Sequence, residues 1–204
     1  MSQHLKDDIQ EGIVAAALAV FARKGFRGAA MAEIGRVAHI STGNIYRYYG
    51  NKESLFEAAI PAEFVERFAD LVRRKAESLV GVDDIRSLRA GSPYLLLSEQ
   101  LLTFCVENRL RIVILLGKSQ GTPYEGFADE AVQRLSKLAV AHFRVLRPDL
   151  RVTEAMRFNL QQIYRNSIYA IVNILSRFDK EATIRQAIEG YTQFHLAGLR
   201  GFFE

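Results

Sequence analysis

Apolar residues recur at every third or fourth position along most of this chain, and that spacing most limits the folds it can adopt. In the first segment the pattern runs from about residue 5 to Lys24, where Gly25 ends it. The 204 residues include only four prolines and few runs of β-branched side chains. The sequence therefore predicts an all-α fold.

A pair of short helices separated by a tight turn follows this first helix. Apolar spacing predicts a helix over residues 31–38, and the next two residues form the turn. Ser41 is a good N-cap for a helix that begins at Thr42 and ends near Tyr48. Two short helices joined in this way form a helix-turn-helix, whose second helix lies in the major groove of DNA.

The outward face of that second helix carries side chains suited to contact DNA. Asn44 can pair with an adenine edge and Arg47 with a guanine edge, while the Thr42 methyl can touch a thymine methyl. Gly43 permits close approach of the backbone. Lys52 opens the next helix and places a cation beside backbone N–H groups, a site suited to phosphate. The candidate DNA-binding residues are Thr42, Gly43, Asn44, Tyr46, Arg47, Tyr48 and Lys52.

Positive charge is concentrated in this same part of the chain. Residues 1–52 carry seven basic and four acidic side chains, whereas residues 53–204 carry twenty basic and nineteen acidic ones. A basic segment favours binding to a polyanion because binding releases counterions. A basic but merely solvated surface would have the same composition, so charge alone does not separate the two interpretations.

Several kinds of function are disfavoured by what the sequence lacks. The single cysteine, Cys105, excludes an intramolecular disulfide and a multi-cysteine zinc site, and the four histidines show no metal-ligand spacing. There is no Gly-rich phosphate loop and no G-x-S-x-G nucleophile motif. We therefore predict no catalytic residue, no metal, no cofactor and no enzymatic activity.

Membrane insertion and secretion are also disfavoured. No stretch approaches the roughly 20 consecutive apolar residues that a membrane helix needs. The first twelve residues are polar and partly acidic, unlike a secretory signal. We expect a soluble, cytoplasmic protein with no membrane partner.

The remaining helices are longer and more apolar. The fourth begins after Asn51, which can cap it, and runs to about Leu79 with a kink at Pro61. That kink is either a hinge between domains or a tolerated irregularity. Residues 109–118 are apolar on all sides, which indicates a buried helix, although a strand is possible by composition. Further helices are predicted over 94–107, 124–146, 153–177 and 181–202, with a possible short one over 83–89.

The last two helices indicate a dimer. Both are apolar over much of their circumference, more than one domain face can cover, so a second copy of the chain is the natural partner. A two-fold dimer would place two recognition helices about 34–36 Å apart, which is one turn of DNA, and would bind a palindromic operator.

Polar residues within the apolar patterns of the C-terminal region are candidates for a small-molecule pocket. Such pockets are mostly apolar and contain a few placed polar groups. Each of these residues could instead be hydrogen-bonded core or dimer interface. An apolar or amphipathic effector would fit them. Together with two apolar residues of the same region, the candidate ligand-binding residues are Phe68, Phe104, Tyr124, His142, Tyr164, Asn166 and Tyr169.

The N-terminal motifs resemble the DNA-binding domain of the TetR (tetracycline-repressor-like) family over about residues 9–56. The resemblance rests on Gly25-Phe26, on Met31-Ala32-Glu33-Ile34, on the run from Ser41 to Tyr49 and on Asn51-Lys52-Glu53-Ser54-Leu55. It implies an all-helical homodimer of about nine helices per chain, whose last two helices form a four-helix interface with the partner's. It also implies a C-terminal pocket for a small effector and, usually, repression that the effector relieves.

We accordingly expect two domains and a regulatory function. A helix-turn-helix domain would cover residues 1–52, and a ligand-binding and dimerisation domain would cover residues 53–204. The leading hypothesis is a ligand-responsive repressor that binds double-stranded DNA. An activator or ligand-independent regulator with the same DNA-binding domain is the alternative, and an all-helical enzyme with a vestigial helix-turn-helix is a third hypothesis.

Four positions depart from the usual pattern of the TetR family. Ala29 and Ala30 replace Thr or Ser, which removes a helix cap worth about 1 kcal/mol. Gly35 replaces Ala in a helix, at a cost of up to about 1 kcal/mol. His39 replaces the turn Gly, and histidine tolerates positive φ better than most residues. These changes are expected to affect DNA affinity more than the fold.

Overall fold

The computed structural model describes residues 3–82, 88–149 and 151–203, and within these ranges the chain is all-α, as predicted. None of the helices found there is long and apolar enough to cross a membrane. The ten helices are α1 (Gln3–Gly28), α2 (Met31–Val37), α3 (Thr42–Tyr48), α4 (Lys52–Ala59), α5 (Ala62–Glu77), α6 (Pro93–Glu107), α7 (Arg109–Gly117), α8 (Phe127–Leu146), α9 (Glu154–Arg177) and α10 (Glu181–Phe203).

The capping residues fix several helix ends where the sequence predicted them. The Ser41 hydroxyl accepts a hydrogen bond from the Asn44 N–H, and the Asn51 side-chain oxygen accepts one from the Ser54 N–H at 2.7 Å. These bonds satisfy N–H groups that have no partner within the first helical turn. Within α1, Gly25 has non-helical angles (φ 74°, ψ 166°), so regular helix stops at Lys24 although helical turns resume beyond it.

Pro61 separates two helices rather than kinking one, which corrects the prediction of a single helix to Leu79. Helix α4 ends at Ala59 and α5 begins at Ala62. The residue before a proline is disfavoured in the helical conformation, and Ile60 adopts φ −126° and ψ 72°. The described residues therefore contain ten helices instead of about nine. Most of the possible helix at 83–89 lies outside them.

The chain divides into two compact units. The first comprises Met1–Val65 together with Leu110–Gly126. Its core is a cluster of three aromatic rings: the Phe56 ring lies 5.6 Å from Phe21 and 5.2 Å from Phe26, centroid to centroid. Residues 112–115 of α7 are almost wholly buried, which confirms a buried helix there and not a strand.

The second unit comprises Glu66–Arg109 and Phe127–Glu204. In it α8 packs against α9, α9 against α10, and α10 against α6. Ala139, Val140, Leu160 and Leu199 form a buried cluster. The unit boundary falls within α5, thirteen residues beyond the expected end of the DNA-binding domain at residue 52, because α4 packs on α1 and buries Leu55 and Phe56.

Candidate functional site

The turn between α2 and α3 is held by backbone contacts. His39 has a positive φ of 57°, and the Ile40 N–H donates a hydrogen bond to the Gly35 carbonyl at 3.0 Å. A Cβ at Gly35 would lie 2.8 Å from the Ile40 carbonyl oxygen, closer than real Cβ contacts occur. Gly35 therefore permits the tight turn. The sequence suggested only its helix-propensity cost.

Helix α3 presents one face inward and one face outward. Ile45 is fully buried, whereas Tyr46 is 49% exposed and Arg47 is also exposed. Thr42, Asn44 and Tyr48 are partly exposed, and open space lies where a Cβ of Gly43 would be. Within the described parts of the chain, neither Asn44 nor Arg47 uses its side chain in a hydrogen bond or ion pair. The predicted base-reading groups are therefore free to meet another molecule.

Lys52 lies in a different environment from the other candidates. Its ammonium donates to the Phe26 carbonyl at 2.9 Å and to the Ala29 carbonyl at 3.1 Å, and it lies 4.5 Å from the Phe26 ring centroid. Lys52 thus ties the start of α4 to the end of α1. One of its three N–H bonds remains for a phosphate, so the predicted contact persists as a proposal beside a structural role that the sequence did not reveal.

Much of the positive charge in the first unit is engaged internally. Glu33 binds Lys24 at 2.7 Å and also binds Arg23. The hydrogen bond from Lys24 lowers the pKa of the Glu33 carboxyl against the opposing effect of desolvation. Arg27 pairs with Glu125 at 3.5 Å. Internal pairing explains why charge counts alone overestimate the cations available to DNA.

Arg36 is a candidate DNA contact that the sequence reasoning missed. It is exposed on α2 and makes no ion pair with a described residue. Helix α2 is the member of a helix-turn-helix that crosses the phosphate backbone. In the sequence, Arg36 lies between Ile34 and Ala38, which are apolar residues on one side of α2. That spacing puts Arg36 on the opposite side of the helix, and it is the signal that could have identified this residue.

The seven candidate ligand-binding residues do not come together. Phe68, Phe104, His142 and Tyr164 belong to the second unit. Phe68 and Phe104 stack with their centroids 6.2 Å apart, and His142 contacts Phe143 edge-on at 4.8 Å.

The other three candidates lie elsewhere in the structure. Tyr124 belongs to the first unit, where its ring lies 6.4 Å from Phe56. Asn166 and Tyr169 lie exposed on α9, and Tyr169 is 69% exposed. The apolar pattern of α9 covers so much of its circumference that the sequence did not show which face turns inward.

A partly buried group of polar side chains that the sequence reasoning missed lies in the second unit. We call Lys75, Tyr94, Tyr164, Ser167, Tyr191 and His195 the polar cluster; they come from α5, α6, α9 and α10. The Lys75 ammonium lies 5.5 Å from the Tyr94 ring centroid, and the Tyr164 and His195 rings are 5.5 Å apart.

The rest of the polar cluster is hydrogen-bonded. Ser167 Oγ and His195 Nδ1 are 2.9 Å apart, and the Tyr191 hydroxyl donates to Ser167 Oγ at 3.3 Å. Burial, and then the charge of Lys75, lowers the pKa of His195 to about 4. The imidazole is therefore neutral near pH 7. No group of three or more potential metal ligands occurs among the described residues.

Large apolar side chains remain exposed on the last two helices of the single chain. Phe158 on α9 is 59% exposed and Phe194 on α10 is 74% exposed. Tyr169 adds a third exposed aromatic ring on α9. Such exposure of large apolar side chains is typical of a surface that contacts a partner.

Several solved structures are similar to this chain at low sequence identity. FadR from Bacillus subtilis, solved in complex with stearoyl-CoA, is 16% identical over 88% of this chain and 95% of that chain, with a TM-score of 0.42. A tetR-family transcriptional regulator from Streptomyces coelicolor is 19% identical over 96% of this chain and 88% of that chain, with a TM-score of 0.37.

A third similar structure is native NalD from Pseudomonas aeruginosa, the secondary repressor of the MexAB-OprM multidrug efflux pump. It is 19% identical, over 92% of this chain and 96% of that chain, with a TM-score of 0.38. No curated protein sequence matches the chain significantly.

The helix-turn-helix carries the stronger match. Residues 13–59 fit the family model for bacterial regulatory proteins of the tetR family. This segment runs from the middle of α1 to the end of α4 and includes the capped, outward-facing helix α3. Residues 13–59 of this chain are therefore similar to the tetR family of bacterial regulatory proteins.

Proposed function

We propose that this chain is a ligand-responsive transcriptional repressor that acts in the cytoplasm and binds a palindromic operator as a homodimer. The observation that carries the proposal is the geometry of α3. Ile45 anchors that helix in the core, and on the outward side Tyr46 is exposed and the side chains of Asn44 and Arg47 have no partner among the described residues. Unpaired amide and guanidinium groups on a groove-sized helix are suited to reading base edges.

Dimer formation is supported by α9 and α10. Phe158, Tyr169 and Phe194 would lose their water-exposed apolar area against a second copy, which is favourable by about 25 cal/mol per Å². A two-fold axis through these helices would give two copies of α3 and so a palindromic site.

Coupling between effector and DNA is supported by the path of the chain. The chain passes from one unit to the other three times, between residues 65 and 66, 109 and 110, and 126 and 127. The segment that enters the first unit is fixed there, because Arg111 donates to the Ala59 carbonyl at 2.8 Å and the Phe26 N–H donates to the Lys118 carbonyl at 3.1 Å. A rearrangement of α6 or α8 would be transmitted through the adjoining covalent bonds. The effector must bind the DNA-competent and DNA-incompetent states with different affinities.

The test is selection of bound sequences from a random DNA pool, followed by anisotropy titrations with the selected site. We expect a palindrome, and we expect Arg47→Ala to weaken binding by about tenfold or more while leaving unfolding unchanged. Arg134→Ala, at an exposed position on α8, is the matched control. Recovery of no common sequence, or an unchanged affinity in Arg47→Ala, would contradict the proposal.

The sign of regulation needs a separate measurement. A reporter placed behind the selected operator should be repressed by the chain and released by its effector. Activation of that reporter would favour the activator hypothesis, and an unchanged response across an effector screen would favour a ligand-independent regulator.

A further inference from the structure

We propose that the polar cluster of the second unit binds the carboxylate head of an amphipathic ligand, with Lys75 as its counter-ion. This inference rests on the proposed function, because it names the chemical class of the effector. It goes further by assigning the site to residues that lay outside the seven sequence candidates, apart from Tyr164.

Lys75 lies on the inward face of α5. It follows Phe68 and Leu71 at intervals of three and four residues, and both of those side chains are buried. Arg74, by contrast, is exposed. A lysine in register with the buried residues of a helix is unusual, because taking a charge out of water is costly unless it is compensated.

The structure supplies no carboxylate for Lys75 from the described residues. Asp70 and Glu77 both bind Arg73, and Glu99 binds Arg185 at 2.6 Å. The contact that the structure does give the ammonium is the face of the Tyr94 ring. Burial lowers the pKa of Lys75, the direction expected for an ammonium whose charge is poorly compensated.

The neighbours of Lys75 do not provide a negative charge either. Burial raises the pKa of the Cys105 thiol to about 12, and burial also raises the pKa values of the Tyr94 and Tyr164 phenols. His195 is neutral near pH 7 for the reason given above. The polar cluster therefore combines one cation with neutral groups that can donate hydrogen bonds. That combination is complementary to a carboxylate, whose hydrogen bonds to charged donors are the strong ones.

The surroundings of the polar cluster account for the apolar part of the ligand. Phe68 and Phe104 stack on each other, and Leu71 and Cys105 are buried. Cys105 is near enough for the charge of Lys75 to act on its pKa. A ligand that places its carboxylate at Lys75 would therefore have apolar side chains close by for its tail, which makes an amphipathic acid a better match than a small polar anion.

The test uses the full chain without DNA and compares matched probes. Hexanoate, decanoate and tetradecanoate are titrated by calorimetry and thermal shift, alongside 1-decanol and methyl decanoate. We expect at least one carboxylate to bind ten times or more tightly than the uncharged probes. Lys75→Met should remove that preference but retain binding of 1-decanol, and it should raise the unfolding temperature of the unliganded chain because a poorly compensated charge is gone.

Two further variants make the result decisive. Lys137→Met, at an exposed position on α8, is the control and should keep the carboxylate preference. The double variant Asp83→Asn/Asp84→Asn removes the two aspartates that lie outside the described residues. If only this double variant prefers carboxylates, those aspartates neutralise Lys75 and the proposal is overturned.

The remaining outcomes also decide the matter. Equal binding of charged and uncharged probes, an unchanged preference in Lys75→Met, or no binding by any probe would overturn the inference. Operator binding is measured separately. A carboxylate preference in a chain that selects no DNA sequence would uphold this site and defeat the proposed regulatory function, and the reverse result would do the opposite.

Discussion

The ammonium of Lys52 donates to the main-chain carbonyl of Phe26 at 2.9 Å and lies 4.5 Å from the ring of the same residue. One side chain of α4 thus contacts both the backbone and the aromatic ring of Phe26, the residue that follows Gly25 in α1. The carbonyl of Ala29, two residues before α2 begins, accepts a second bond from it. The first residue of α4 is therefore part of what sets the position at which α2 begins.

Replacing Lys52 should destabilise the first unit. Lys52→Met keeps the length of the side chain but removes two charge-assisted hydrogen bonds and the cation–π contact, so we expect the free energy of unfolding to fall by about 2 kcal/mol. Urea denaturation followed by circular dichroism measures this. Lys137→Met should change stability by less than about 0.5 kcal/mol. Equal effects of the two substitutions would show that the Lys52 contacts contribute nothing.

Gly35 and His39 are the two turn positions that depart from the usual TetR pattern. Substitutions at these positions should change the unfolding free energy in opposite directions. Gly35→Ala gains helix propensity, but its Cβ would meet the Ile40 carbonyl at 2.8 Å, so we expect a net loss of about 1 kcal/mol or more in unfolding free energy. His39→Gly removes the strain of positive φ and should add up to about 1 kcal/mol.

Gly43→Ala is the matched control for the turn variants. Its Cβ would meet nothing within 4 Å, and the residue lies in α3, so the substitution should stabilise the chain through helix propensity alone. Denaturation midpoints of the three variants measure the effects. A stabilising Gly35→Ala would show that the turn relaxes without cost and that the close approach is unimportant.

Arg36 and Arg47 should contribute differently to DNA binding. Arg36 on α2 is placed to meet phosphate, so Arg36→Ala should weaken binding to all sequences alike and reduce the slope of log K against log salt by about 1. Arg47→Ala should cost about 1–3 kcal/mol mainly at the base pair it reads. Anisotropy titrations at several salt concentrations, on the selected site and on single-base variants, distinguish the two. An unchanged salt slope in Arg36→Ala would remove it from the interface.

Acid should destabilise the second unit through His195. Its pKa is about 4 in the folded chain and about 6.5 when unfolded, so below pH 6.5 the unfolded chain binds a proton that the folded chain does not. Stability is thus lost as pH falls from about 6.5 towards 4, by about 2 kcal/mol between pH 7 and pH 5.

The variant His195→Gln tests this pH dependence. It should flatten the fall in unfolding free energy between pH 7 and pH 5, whereas His39→Gln, at an exposed position, should leave the fall as it is in the unmodified chain. Urea denaturation at both pH values gives the comparison. The same pH dependence in both variants would mean that another group titrates in this range.

Local signals made the N-terminal domain predictable. Ser41, Asn51 and Gly25 act within one helical turn of their own position, so their effects can be read from neighbouring residues, and the structure confirms each of them. Pro61 was recognised as a disruption. Whether such a residue kinks a helix or divides it depends on packing that the sequence does not contain.

The interior of the second unit was much less predictable. Lys75 and His195 are 120 residues apart in the chain, and only the folded helices bring them into electrostatic contact. Tyr164 and Tyr169 lie on one helix, and an apolar pattern that covers much of its circumference did not show that the first is partly buried and the second faces water. Residue spacing therefore failed to predict which distant residues meet in the folded chain and which side of a helix faces inward.

The return of residues 110–126 to the first unit affects how this protein can be taken apart. A fragment cut after Val65 would lack Ile112, Val113, Ile114 and Leu115, and would leave bare the surface that these side chains cover. A chimera that joins the first unit to the ligand-binding domain of another protein must therefore include both of its separate chain segments. A chimera made with a single junction is expected to contain an insoluble or poorly folded first unit.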